Sequence, residues 1–170
     1  MALVIAVIAQ AGDIGNRKVD RVLELHREMT SGQTGDARTR LGWFYRHSRS
    51  NGTLPRLTRA QLKSETYKES DMDCAAPTPR LDSDRLLRFF ERVNAARDQG
   101  SLDDYSAALL LGRQATWWDR AIRRDDDDPT RRPLAVFADW SSDFVRGKAN
   151  DPRFAGWATR TELDFPQSEG

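Results

Sequence analysis

Between Leu81 and Ile122 the apolar residues recur at helical spacing twice, on either side of a short stop, and such a stretch is buried most simply as two packed helices. Ser83 is placed to cap the first helix, which carries Leu86, Leu87, Phe89, Phe90, Val93 and Ala96. Gly100 stops it. The acidic turn after Ser101 opens the second, because carboxylates favour a helix N-terminus. Its stripe runs through Tyr105, Ala108, Leu109, Gly112, Ala115, Trp118 and Ile122. A connection this short predicts an antiparallel helical hairpin, about 83–99 and 102–124, at the centre of the core. The expected fold class is therefore all-α: an irregular multi-helix bundle built around that hairpin.

The remaining segments extend the pattern. Residues 13–30 predict a helix with Val19, Val22, His26 and Met29 at steps of three and four, widened by Leu23 and Leu25, and ended at Ser31-Gly32. Residues 35–49 predict a second, with Thr34 as N-cap and Ala37, Leu41, Phe44, Tyr45 and Ser48 on one face. Asn51-Gly52 marks a turn. A third, weakly apolar helix over about 59–69 offers Leu57, Leu62 and Tyr67 to the core, and residues 70–80, with Pro77 and Pro79, read as an exposed loop. After a charged break, Pro133 suits the first turn of a helix bearing Val136, Phe137, Trp140 and Phe144. Asp151-Pro152 resembles one more helix start, carrying Phe154 and Trp157. The organisation expected is an apolar N-terminal segment (1–12), one helical domain (13–158) and a flexible tail (159–170).

The chain has 170 residues, enough to bury a core without disulfides or metal. Its net charge is +1, unevenly spread. Residues 1–68 hold twelve Lys/Arg against six Asp/Glu, and residues 69–170 hold fifteen against twenty. Such a split suits polar self-docking, head-to-tail assembly, or an anionic partner for the first half. Cys74 is the single cysteine, so no intramolecular disulfide forms, which fits a reducing cytosol. The apolar run from Ala2 to Ala9 is too short to cross a bilayer, which takes roughly 20 residues. It reads as a one-turn docking segment, with a short strand or the end of a membrane anchor as alternatives. A cytoplasmic protein is expected, with no membrane attachment by this chain alone.

Reactive groups are few. His26 lies on an apolar stripe and His47 in the basic stretch Arg46-His47-Ser48-Arg49, while Cys74 has no histidine near it in sequence. One cysteine and two histidines do not make the usual structural zinc site. The run Asp125, Asp126, Asp127, Asp128 lacks the alternating ligands and central glycine of a calcium loop. Gly12-Asp13-Ile14-Gly15 precedes a helix as a phosphate-binding turn would, without the Lys-Ser/Thr pair of a P-loop. Glu24 and Glu28 share a helix face but sit among Lys18, Arg21 and Arg27 as natural ion-pair partners. No catalytic residue, metal or cofactor is expected.

The basic half carries the clearest binding signal. Arg38, Arg40, Arg46, Arg49, Arg56, Arg59 and Lys63 are interleaved with Trp43, Phe44 and Tyr45, a combination in which arginines contact phosphates and aromatics stack on unpaired bases. Phe44 and Tyr45 also fit the apolar face of their helix. Phe89-Phe90 and Trp117-Trp118 read chiefly as core. Neighbours on a helix differ by about 100°, however, so Trp117, like Trp43 and Trp157, is a candidate for an interface.

Several pieces occur together: Val22-Leu23-Glu24-Leu25-His26-Arg27-Glu28-Met29, Leu86-Leu87-Arg88-Phe89-Phe90-Glu91-Arg92-Val93, the Gly100-Ser101-Leu102-Asp103 turn and Trp117-Trp118-Asp119. Their order resembles an uncharacterised bacterial family of helical domains of unknown function, often found behind an N-terminal membrane helix. The resemblance covers about half the chain and implies a helical bundle with no catalytic residues. Here the membrane helix is absent or reduced to residues 1–9. The function expected is that of a non-enzymatic interaction or accessory subunit of a larger bacterial or phage-related assembly, with a protein partner or a second copy. The alternatives are a nucleic-acid-binding subunit comparable in size to the small helical subunits of CRISPR effector complexes, and a small enzyme using carboxylates.

Overall fold

A computed structural model describes residues 2–47, 57, 62, 78–122 and 132–154, with side chains from Asp13 onward except that of His47. These residues form an all-α, multi-helix bundle. Its helices are α1 (Ala2–Thr30), α2 (Gly32–His47), α3 (Pro79–Asp98), α4 (104–121) and α5 (Arg132–Arg146). No strand occurs among the described residues; Leu57 and Ile122 make an isolated parallel bridge in which Leu57 N–H donates to Ala121 O at 2.9 Å.

The elbow between α1 and α2 follows the sequence reading at its stop and departs from it at its start. Gly32 takes the left-handed conformation, φ +62°, which costs glycine nothing. Helix α2 begins there, so Thr34 is not its cap: Thr34 is buried, and its hydroxyl donates to Glu28 Oε1 at 3.2 Å. The chain turns so tightly that a Cβ on Gly35 would lie 2.7 Å from the carbonyl carbon of Thr30 and 2.9 Å from its oxygen. Both are backbone atoms, so Gly35→Ala is expected to cost about 1–3 kcal/mol. Gly15→Ala on α1, where an added Cβ meets nothing within 4 Å, should be stabilising by up to about 1 kcal/mol. Urea denaturation of the two variants side by side checks the contrast.

Helix α1 is also longer than its periodicity suggested. The predicted separate segment at 1–12 is continuous with it from Ala2, and Gly12 and Gly15 lie within the helix, which removes the phosphate-turn geometry. Val22, Leu25 and Met29 are buried, whereas Leu23 is 42% exposed. Residues 13–17 are exposed on every side.

Helix α3 starts at Pro79, four residues before the expected cap. Thr78 is the N-cap, its hydroxyl accepting from Leu81 N–H at 3.3 Å, and proline occupies the first turn where its missing N–H is harmless. The helix ends as expected at Gly100 (φ +65°), with Ser101 N–H donating to Ala96 O and Gly100 N–H to Arg97 O, the paired bonds of a Schellman motif. Asp103 then caps α4 by accepting from Ser106 N–H at 2.8 Å. Within α4, Ala108–Gly112 is wound as a π turn between Asp104–Ala107 and Arg113–Ala121.

Helix α5 completes the centre. Among the described residues, α2 packs against α3, α5 against α3 and the second half of α4, and α1 against α2. Its buried stripe is Leu134, Phe137, Ala138, Ser141 and Val145, while Val136, assigned inward from periodicity, is 41% exposed. Asn94 on α3 donates to Pro133 O at 2.6 Å and fixes where α5 begins. Phe89, Phe90, Phe137 and Trp118 are sealed at the centre, joined by Leu57 and Leu62. A second, smaller cluster holds Ala108, Val145 and Phe154, with Tyr105 and Phe144 against it. Residues 151–154 form turns. Asp151 accepts from Tyr105 Oη at 2.8 Å and from Arg153, whose guanidinium lies over the Tyr105 ring at 4.2 Å. The Arg153 side chain and backbone N–H hold the Asp151 carboxyl well below the usual carboxylate range.

Candidate functional site

Two helices meeting at an elbow leave a wedge-shaped space, and here α3 forms its third wall. The result is a groove of about 740 Å3 lined by Glu24, Arg27, Glu28, Ser31, Gly32, Gln33 and Thr34 from α1, the elbow and the start of α2, and by Leu81, Asp84, Arg85, Arg88 and Arg92 from α3. Arg85, Arg88 and Arg92 follow one another at steps of three and four, so they stand along one face of α3.

The charges divide into satisfied and unsatisfied groups. Glu28 is engaged by Arg92 through both oxygens and by Thr34. Glu24 accepts from Arg21 at 2.9 Å, and Asp84 stands 3.9 Å from Arg80. Every groove carboxylate therefore has an arginine. Arg27, Arg85 and Arg88 make no ion pair among the described residues, and Leu81 beside them is 56% exposed. The surface is thus basic in excess, with an apolar end. Glu24 and Glu28, considered as a catalytic pair, are each held in ion pairs.

The residues singled out from sequence are distributed differently. Arg40 is committed to Asp82: Nε and Nη2 each donate at 2.7 Å to the two carboxylate oxygens, and Asp82 is fully buried. Arg38 is half-buried, and burial lowers its guanidinium from the ordinary value. Arg46 is exposed at the end of α2. Arg49, Arg56, Arg59 and Lys63 lie outside the described residues, as do Trp157, Cys74 and residues 125–128. Trp43 is half-buried. Trp117 offers little surface: it is 7% exposed, edge-on to Tyr45 at 5.3 Å and to Trp118 at 4.6 Å. Adjacent tryptophans are both covered because α4 is enclosed over more than half its circumference.

Among the described residues no group of His, Cys, Asp and Glu could hold a metal ion, and no helix is long and apolar enough to cross a membrane. His26 is half-buried on α1; burial first, and then the nearby Arg38 charge, lower its imidazole from the ordinary 6.5. A folded-state value below the unfolded one means that the unfolded chain binds the proton more readily. The contribution of His26 to stability is therefore complete above about pH 6.5 and is lost as pH falls through the folded value. Urea midpoints should fall from pH 7.5 to pH 5, and His26→Gln should flatten that slope.

Sequence reasoning missed the groove because its arginines are scattered over α1 and α3 rather than clustered in the chain. Their step of three and four in Arg85, Arg88 and Arg92 was the signal that could have found them. No family model matches the chain, and no curated protein or solved structure is detectably similar to it.

Proposed function

We propose that the chain is a non-enzymatic helical interaction subunit of a larger bacterial or phage-related assembly. The observation that carries this reading is the groove between the α1–α2 elbow and α3, where Arg27, Arg85 and Arg88 have no ion pair among the described residues and Leu81 is exposed beside them. Surfaces that combine an apolar contact with surplus charge of one sign recognise partners of complementary charge. Part of the charge split in the sequence is already used internally, since Arg40 of the basic half holds Asp82 of the acidic half. Within the groove, the surplus positive charge lies on Arg27, Arg85 and Arg88.

The test is the size of the protein in its native setting. A tagged chain in gently prepared extract should sediment as a complex well above its own 19.3 kDa, and cross-linking should fix it to a neighbour. Sedimentation as an isolated monomer under these conditions would remove the reading. The nucleic-acid alternative draws on arginines 38–63, of which Arg40 is already committed to a buried carboxylate.

A further inference from the structure

Resting on the reading of the chain as an interaction subunit, we infer that the groove between the α1–α2 elbow and α3 receives an acidic amphipathic helix of a partner protein, with carboxylates meeting Arg27, Arg85 and Arg88 and an apolar side chain meeting Leu81. Charge complementarity is the first argument. Glu24, Glu28 and Asp84 are answered by Arg21, Arg92 and Arg80, so the uncompensated charge of the groove is positive and sits on three named side chains.

Spacing is the second. Arg85 and Arg88 rise about 4.5 Å apart on one face of α3, at 1.5 Å per residue. Carboxylates three or four residues apart on a helix repeat at nearly the same interval. Guanidinium groups bind carboxylates through two parallel N–H donors, so a row of arginines reads a row of glutamates with defined geometry. The rigidity of α3 holds that row in place, since the helix is capped by Thr78 at one end and closed at Gly100 at the other.

Leu81 supplies the third argument. It lies one turn before Arg85 on the same face and is 56% exposed, an apolar anchor at the end of a charged row. Amphipathic helices dock through such a combination of anchors. Nucleic acid fits less well. Among the described residues no aromatic side chain lines the groove to stack a base, and its three carboxylates would face a phosphate backbone.

The probe is a labelled synthetic peptide of about sixteen residues, long enough to populate helix, with one leucine followed by glutamates at steps of four, three and four. A second peptide has glutamine at those positions, a third lysine, and oligo(dT) and duplex DNA complete the set. Fluorescence anisotropy against the full chain should show binding of the glutamate peptide that weakens with salt, and about tenfold weaker binding of the glutamine peptide. R85E/R88E should lose the glutamate peptide and gain the lysine peptide, with circular dichroism unchanged. R27E, on a different helix, should weaken the glutamate peptide by a few-fold and serves if the double variant does not fold. Equal affinity for glutamate and glutamine peptides, or no binding of either, overturns the inference. Binding of oligo(dT) or duplex DNA that R85E/R88E abolishes overturns it in favour of nucleic acid. Self-association of the chain that R85E/R88E abolishes overturns it in favour of a second copy. A chain that still enters large native complexes when R85E/R88E is introduced sinks the groove and leaves the interaction-subunit reading standing.

Discussion

Arg40→Met is expected to destabilise the protein by about 3–5 kcal/mol, because it removes a two-pronged cationic partner from a buried carboxylate. Asp82 is fully buried and the Arg40 side chain is 20% exposed, with both bonds at 2.7 Å. The pair joins α2 to α3, which pack against each other. Losing the guanidinium would remove two hydrogen bonds from a charge buried between the helices that wall the groove. Replacing the pair together, as R40M/D82L, should recover most of the loss, since an apolar pair of similar volume is often no less stable than a buried ion pair. Urea denaturation of the single and double variants measures both quantities. A single-variant cost under about 1 kcal/mol would mean that the pair behaves as a surface contact.

The second large effect is expected at Phe90→Ala, about 3–5 kcal/mol. Phe90 is wholly buried, edge-on to Phe89 at 5.2 Å and tilted against Phe137 at 5.8 Å. Phe137 in turn meets Trp140 at 5.1 Å, and Trp140 meets Phe144 at 5.7 Å. The ring on α3 is thus the first member of an aromatic file that runs along α5 and links the two apolar clusters. Its removal opens a cavity that neighbours pinned on two helices cannot fill. Leu81→Ala, on the opposite side of the same helix, should change stability by no more than about 0.5 kcal/mol. Denaturant midpoints for the pair separate core from surface on one element.

The helices were legible in the sequence wherever a stripe of large apolar residues was long enough to set the phase. Leu86, Leu87, Phe89, Phe90, Val93 and Ala96 are all buried as expected, and Gly100 ends α3 for the reason its lack of a Cβ suggests. The start of α3 is earlier than Ser83 suggests: residues 70–80 read as a loop because of Pro77 and Pro79, yet proline also favours a first helical turn, and Thr78 caps the helix. Leu23 and Val136 failed because periodicity gives the direction of a face and not its width. The site was less legible. Arg40 looked like a surface cation because nothing local signals a partner at Asp82, far along the chain. Arg27 and Arg85 become neighbours only when the elbow at Gly32 folds α1 and α2 against α3.

The π turn at Ala108–Gly112 has a bearing on how this chain can change over generations. A π turn is equivalent to one residue inserted into an α-helix. Loss of Leu109, Leu110 or Leu111 would therefore close an ordinary helix and leave the residues on either side in phase. Trp117 would keep its place against the Tyr45 ring, and the small residues Ala115 and Ala121 would still face the core they now fit. In the regular turns of a helix the same deletion would rotate every later side chain by about 100°. The π turn is thus the place in α4 where the length of the chain can change by one residue without moving its buried face.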